Sequence, residues 1–224
     1  MATVLFDEQV EIPLGIMNLA DFRRWALSED FPQHGRIDYV AGRIEVDMSP
    51  EDFFTHGTLK SQVSSRIEQR VGELDLGHTL IAETRISSVS GNLSAEPDVI
   101  VISHDAIDKG RVRLVPKASG EVGRYVEVEG GPDLVVEIVS DSSVRKDTQR
   151  LPAAYFTAGV LEYWLIDARG EQLLFQIHRR GPSTFEPTTD DKREFQPSQV
   201  LQCNCRLDRN RHTRGHWVYQ LRFE

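Results

Sequence analysis

The sequence predicts an α/β fold: a central mixed sheet flanked by helices, with an added hairpin near the N-terminus and added strands at the C-terminus. Three observations carry this. The runs PDVIVI (97–102) and DLVVEIVS (133–140) are dominated by β-branched apolar residues, the pattern of strands in the centre of a sheet. Leu59, Val63, Ile67 and Val71 recur every four residues, which places a helix from about Phe54 to Gly72. At 224 residues, 39% hydrophobic and 27% charged, the chain is long enough to bury a core without a disulfide or metal staple. That length predicts one domain over 1–224.

In chain order, the stretch to Gly15 reads as a strand-like lead-in. Residues 18–28 form a short amphipathic helix, capped by Asn18, with Leu19, Phe22, Trp25 and Ala26 on one face. IDYVAGRIEVDMSP (37–50) is a hairpin turning at Ala41-Gly42. After the long helix, TLIAETRI (79–86) reads as a strand, followed by PDVIVI. A long polar connection, Ser103 to Gly131, is rich in Gly, Lys and Arg, and loops of that length are often functional or mobile. DLVVEIVS leads into a helix ending at Gly159, with Pro152 tolerated in its first turn. EYWLIDARGEQLLFQIHRR (162–180) is a hairpin around Arg169-Gly170, and VLQCNCRL (200–207) and HWVYQLRF (216–223) return as strands.

Charge and cysteine content exclude several classes. A net charge of −9 argues against a protein whose whole surface grips nucleic acid, while leaving room for a local basic groove beside an acidic metal site. No window approaches 18 uncharged apolar residues, so no membrane span is expected, and the acidic start lacks the plan of a secretion signal. Cys203 and Cys205, spaced C-x-C, suit two reduced thiols better than a mutual bridge, which points to a cytoplasmic protein.

The chemistry centres on Asp98 and Glu137. Each is a carboxylate in a strand expected to be buried, where ionisation costs several kcal/mol unless a cation or donors compensate it. Taken singly, either is explained by a partner arginine, and Pro-Asp is also a common turn. If the strands are neighbours, both acids converge on one hard cation, and Mg²⁺ suits such a site. Asp38 is a third candidate, against the plainer role of a strand residue facing Arg36 or Arg43. His56 is more often a cap or packing residue, though it could lie near phosphate. Arg145, Lys146 and Arg150 follow the Glu137 strand and bring positive charge close to it. Two basic stretches stand out: Lys109, Arg111, Arg113 and Lys117 on the long connection, and Arg206, Arg209, Arg211 and Arg214 in the tail. Either could contact phosphates, and solvated loops are the simpler account. Cys203, Cys205, His212 and His216 have a gap too short for a zinc finger.

A strand with Pro-Asp, a strand with Glu and a following basic helix resemble the PD-(D/E)XK nuclease superfamily. The closer resemblance is to its large bacterial family described as putative restriction endonucleases. RIDYVAGRI, AEPDVIVI, GPDLVVEIVSDSS and YFTAGVLEYWLID carry it, and it spans roughly residues 17–205. The resemblance implies a restriction-endonuclease-like fold and a Mg²⁺-dependent endonuclease, with Mn²⁺ as an alternative ion, hydrolysing DNA phosphodiesters. By position, Asp98 and Glu137 match the motif acids and would hold the metal with the backbone carbonyl of Ile138. Asp38 stands where the family usually has glutamate and would complete the acidic cluster. The superfamily lysine would stand at Val139, or in this family at Leu151. Lys146 or Arg150, the nearest cations, would position the attacking water. A homodimer would suit a double-strand cutter. The alternatives are a catalytically silent nucleic-acid-binding or regulatory module on the same fold, and an unrelated acidic protein whose strand carboxylates are bridged to Arg145 or Arg150. The nuclease requires Asp98 and Glu137 on one sheet face, near a cation, both with raised pKa from burial and mutual repulsion.

Overall fold

The computed structural model describes residues 11–32, 35–81 and 83–224. Residues 1–10 of the expected lead-in lie outside the described residues, and 11–15 hold no strand. The first half of the chain forms α1 (Leu19–Ala26), β1 (Arg36–Val40), β2 (Arg43–Asp47), α2 (Thr58–Glu73), β3 (Gly77–Ile81), β4 (Arg85–Ser88), β5 (Leu93–Ala95) and β6 (Val99–Ser103). The second half forms α3 (His104–Asp108), β7 (Val112–Pro116), β8 (Tyr125–Gly130), β9 (Leu134–Ile138), α4 (Leu151–Ala158), β10 (Glu162–Asp167), β11 (Leu174–Arg180), β12 (Phe185–Pro187), β13 (Gln196–Ser198), β14 (Cys203–Arg211) and β15 (Trp217–Phe223). Single π-helical turns, Phe53–Gly57 and Lys146–Arg150, run directly into α2 and α4.

The strands divide among three sheets. The central one has the order β12-β11-β10-β9-β6-β3 and is mixed, because β9 and β10 are parallel while their outer neighbours are antiparallel. A second six-stranded sheet has the order β2-β1-β5-β4-β8-β7, and β13-β14-β15 form a third. Side chains alternate across the central strands, as the pleat requires. Val99, Val101, Leu134, Val136, Trp164 and Ile166 face the Leu59–Val63–Ile67–Val71 stripe of α2 and the β14–β15 hairpin. Ile100, Ile102, Val135, Val139, Tyr163 and Leu165 face α4 and the second sheet. The predicted central mixed sheet with flanking helices is therefore present, and the added N-terminal hairpin, β1–β2, belongs to the sheet that covers its other face.

Two segments differ from expectation. The run 79–86 is not one strand: β3 ends at Ile81 and β4 begins at Arg85 in a different sheet. Glu83 between them has φ +56°, outside the extended region, so the chain turns there. The polar connection 103–131 is largely ordered. Ser103 caps α3 by accepting the Ala106 N–H at 3.0 Å, and β7 and β8 pair as a hairpin. Its alternation is hidden in the sequence by charged outward residues such as Arg113 and Glu129, which pair with one another at 2.5 Å, while Val112 and Val128 are buried. The helix 18–28 is realised as α1, with Asn18 accepting the Asp21 N–H at 3.0 Å and Phe22 and Trp25 packed near Tyr39 of β1.

The β1–β2 hairpin turns through Ala41 (φ +50°) and Gly42 (φ +84°) between paired Val40 and Arg43. Positive φ at both central residues is the primed turn that matches strand twist, and it strains a residue with a Cβ. Ala41 is exposed, so the strain can be relieved without repacking. Ala41→Asn, which tolerates this backbone better, is expected to raise the melting temperature by about 2–4 °C, the effect of ~1 kcal/mol in a chain of this size. A calorimetric scan showing no rise or a fall would mean the turn is not under strain.

Candidate active site

The strand register brings the two motif acids together. Val99 pairs with Val136 in the antiparallel β6–β9 ladder, so Asp98, one residue before β6, stands opposite Glu137. By alternation both project to the face that carries Ile100, Ile102, Val135 and Val139. Glu137 is fully buried, and Asp98 is 3% exposed. The Asp98 Oδ2 accepts the Ile138 N–H at 2.8 Å, which pins the acid across the strand pair.

Asp38 arrives from β1 in the second sheet. Its Oδ1 accepts the Glu96 N–H at 3.0 Å, and its Oδ2 accepts from the Lys146 ammonium at 2.8 Å. Arg36, two residues earlier on the same face of β1, lies between the acids. Its Nη2 is 3.4 Å from Glu137 Oε2 and 3.9 Å from Asp98 Oδ1, and its Nε is 3.8 Å from Asp38 Oδ2. Arg36 also donates to the Glu96 carbonyl.

The start of α2 closes the other side. Asp52 caps the preceding π-helical turn, accepting the Phe54 and Thr55 N–H groups at 2.9 and 2.7 Å. This aims His56 inward, with Nε2 at 3.5 Å from Asp98 Oδ2 and Nδ1 at 3.4 Å from Glu51 Oε2. Lys60, one turn later, places its ammonium 3.6 Å from Asp98 Oδ1 and also pairs with Glu51. Ligand atoms of Glu51, His56 and Asp98 lie within 4.8 Å of one another. An open cleft of about 260 Å³ runs over this side, lined by Arg36, Asp47, Glu51, His56, Lys60 and Asp98 among others. On the inner side, the Tyr155 hydroxyl of α4 donates to Glu137 Oε1, and Ser143 donates to buried Asp147.

Asp98, Glu137, Asp38 and Lys146 are thus brought together, and Ile138 contributes its amide to Asp98. Arg150 is not brought to them: it pairs at 2.6 Å with Glu45 of β2, the residue directly across the hairpin from Asp38, while Lys146, one turn earlier, takes Asp38 itself. Arg145 is exposed, so the acids are not bridged to Arg145 or Arg150; their cations are Arg36, Lys60 and Lys146. Leu151 packs in the core against the central sheet. His56 is no mere cap, since it touches Asp98. Sequence reasoning missed Glu51, Lys60 and Tyr155, and named Arg36 only as a neighbour of Asp38, not of Asp98 and Glu137. Two had a signal: Arg36 shares a strand face with Asp38, and Lys60 lies four residues after His56 on one helical face. The first basic stretch is partly consumed internally, Lys109 by Asp105, Arg111 by Asp133 and Arg113 by Glu129. The cysteines and the His212–His216 pair occupy opposite ends of the β14–β15 hairpin, so no C-x-C/His set assembles.

A family model described as "Uma2: Putative restriction endonuclease" matches residues 19–210. Among solved structures, the chain is similar to a putative nuclease belonging to DUF820 from Anabaena variabilis. The TM-score is 0.56 at 20% identity, over 83% of this chain and 90% of that one. The likeness establishes a common fold. A comparison with curated proteins gives no match.

The electrostatics divide the acids. Burial pushes the Asp98 carboxyl up, but Arg36, His56 and Lys60 outweigh it and hold it well below the usual carboxylate range. Burial likewise opposes ionisation of Asp38, and Lys146 with Arg36 overcomes it. At Glu137 burial wins: with Asp147 and Asp98 as like-charged neighbours, it is pushed up to about 8 despite Arg36. Only one of the two motif acids therefore carries a raised value, against the expectation that both would. The reason is the cation distribution, since Asp98 meets three positive groups and Glu137 is walled in by Tyr155 and Asp147.

A raised folded-state pKa means that the folded form holds a proton the unfolded chain has lost. Metal-free stability therefore falls as pH rises from about 4.5 toward about 8, the interval between the ordinary and the folded values of Glu137. Asp147, pushed up to about 6 chiefly by burial, acts in the same direction over the lower part of that window. The Glu137 contribution is worth about 3–5 kcal/mol at most. Thermal melts in chelator from pH 5 to 8 are expected to show a falling melting temperature for wild type. The fall should be much shallower for Glu137→Gln, which keeps an acceptor for Tyr155. Parallel slopes for the two proteins would refute the assignment.

Proposed function

This chain belongs to the Uma2 restriction-endonuclease family, and on that premise we propose that it is a divalent-metal-dependent endonuclease that hydrolyses DNA phosphodiester bonds at the Asp98–Glu137 cleft. One observation carries the proposal: acids from two sheets, Asp98, Glu137 and Asp38, converge beside an open cleft with three cationic side chains interleaved among them. A purely structural cluster has no need of the cleft.

The donor set fits a divalent ion. Asp98 stands opposite Glu137, with which and the Ile138 carbonyl it would hold an ion, and its ligand atoms also lie within 4.8 Å of those of Glu51 and His56. Burial opposes a charge on His56, but Asp98 and Glu51 raise its pKa, so the ring would give up a proton to offer an ion its nitrogen. Hard oxygens suit Mg²⁺, and an imidazole among them admits Mn²⁺ as well. When bound, such an ion activates water and offsets phosphate charge. The chain's own groups do the rest. Tyr155 keeps its phenolic proton, since burial and Glu137 push its pKa far up, and donates it to Glu137 Oε1, fixing that carboxyl. Lys146, for which burial is outweighed by Asp38, stays charged, so it orients and stabilises anions rather than accepting a proton. Arg36 and Lys60 face the cleft and offer positive charge to a phosphate diester. DNA as substrate, one domain over the chain, a homodimer for double-strand cutting and a cytoplasmic setting are parts of the same proposal. Free Cys203 and Cys205 support the last. No helix among the described residues is long and apolar enough to cross a membrane.

A silent binding module is the second reading. It is favoured by Leu151, which stands where the family usually has lysine and is buried in the core.

Supercoiled plasmid is expected to be nicked with Mg²⁺ or Mn²⁺ and left intact in chelator. Both ions should also raise the melting temperature, because they bind only the folded state. Asp98→Asn should remove nicking and the thermal shift together. Nicking that survives Asp98→Asn sinks the site assignment, and a thermal shift without cleavage by wild type favours the silent module.

Lys146→Gln, which can still donate to Asp38, is expected to lower turnover roughly a hundredfold, the scale of one electrostatic group at a reacting phosphate. DNA affinity should stay nearly constant. Arg150→Ala, which breaks only the Glu45 pair, should cut like wild type. If single-turnover rates show the reverse ranking, Arg150 reaches the phosphate and Lys146 is structural.

A further inference from the structure

The β14–β15 hairpin rises beside the start of α2 and ends in an unusual surface. Arg211 and Trp217 close the ladder, and the turn His212–Gly215 is secured by the Gly215 N–H donating to the His212 carbonyl at 2.8 Å. Three rings stack there in a column. Phe54 lies parallel to His216, with centroids 5.1 Å apart and planes 16° apart, and His216 lies on His212 at 4.5 Å and 17°. Phe54 is 41% exposed and adjoining Phe53 is 81% exposed, while His212 is exposed on the turn.

The same turn is basic. Residues 209–216, RNRHTRGH, include three arginines and no acid, in a chain of net charge −9. Arg209 donates to the carbonyls of Ala168 and Gly170, and Arg211 to that of Gly215. These partners are neutral, so the positive charge is not cancelled. Arg211 also lies 3.8 Å over the Trp217 ring, which presents a flat cationic face, and Arg214 is exposed at the tip. Phe54 is two residues from His56, which touches Asp98. The column and the cleft thus lie on the two sides of one helical turn, which carries Phe54 on one and His56 on the other.

We propose that the Phe54–His216–His212 column and the arginines of the hairpin tip bind an unpaired stretch of the DNA substrate. A base stacks on the open end of the column, and backbone phosphates lie on Arg211 and Arg214. The inference rests on the nuclease reading and narrows it to DNA with single-stranded character. A ring face can stack only on a base whose own face is free, and bases inside a duplex show a protein only their edges. The local charge complements a phosphate backbone in a chain whose net charge is −9.

The test uses full-length Glu137→Gln protein and a fluorescein-labelled oligonucleotide of about 15 nucleotides, single-stranded or annealed to its complement, read by anisotropy. The single strand should bind more tightly than the duplex. Phe54→Ala and His216→Ala should each weaken single-strand binding roughly five- to a hundredfold, the range for loss of one stacked base, while Phe54→Trp retains it. Arg214→Ala should reduce the salt slope of single-strand binding by about 0.7, the value for one phosphate contact. The proposal fails if both alanine variants bind the single strand like the parent, or if duplex binds as tightly and is weakened equally. Metal-dependent plasmid nicking separates the two levels. Nicking by the Glu137-intact protein, with binding indifferent to Phe54→Ala, removes the docking surface and leaves the nuclease. Stacking-dependent binding without cleavage by any divalent ion removes the nuclease and leaves the surface.

Discussion

Three carboxylates that repel one another are held within reach of one guanidinium, and most of the architecture serves that arrangement. Arg36 approaches Asp38, Asp98 and Glu137 from a neighbouring sheet. Without it, Glu137 would face Asp147 and Asp98 inside a dry wall of Tyr155 and apolar strands. Removing one partner from a buried charge network typically costs about 3–5 kcal/mol, because an uncompensated charge stays behind. The second sheet, which looks from its topology like an appendage, is therefore needed: it delivers both Arg36 and Asp38 on β1.

The uneven distribution of cations gives the acids different tasks. Asp98 is surrounded by positive groups and tied to a backbone amide, so it remains an anion under all ordinary conditions. Glu137 is poised nearer neutrality, because burial and the like charges of Asp147 and Asp98 outweigh Arg36. One fold thus places a permanent anion and a conditional one opposite each other across the β6–β9 pair. The cleft opens toward Glu51, His56 and Lys60, and the same π-helical turn that aims His56 inward leaves Phe54 outside against the hairpin. Site and surface are two sides of one turn of backbone.

Local patterns made much of this legible. The four-residue stripe of α2, the Asn18 cap, the Ala41-Gly42 turn and the left-handed Gly159 at the end of α4 each depend on neighbours in sequence, and each stands where the pattern places it. Apolar runs identified β6 and β9, and a carboxylate inside each marked Asp98 and Glu137. The failures share a cause. The run 79–86 changes sheets at Glu83, and β7–β8 hides its alternation beneath ion-paired arginines, so in both the deciding partners are far along the chain.

Sequence alone determined the family, the identity of the paired acids and the strands that carry them, because hydrophobic period and motif order are properties of short stretches. Only the tertiary structure decided which cations answer those acids. Lys146 and Arg150 are four residues apart and equally basic, yet one reaches Asp38 and the other Glu45, its partner across the β1–β2 hairpin, since the two cations stand one turn apart along the same helix face. Arg36, Lys60 and His56 lie far along the chain from Asp98, which all three touch. Their roles follow from sheet packing and helix docking, contacts between segments that no local pattern encodes.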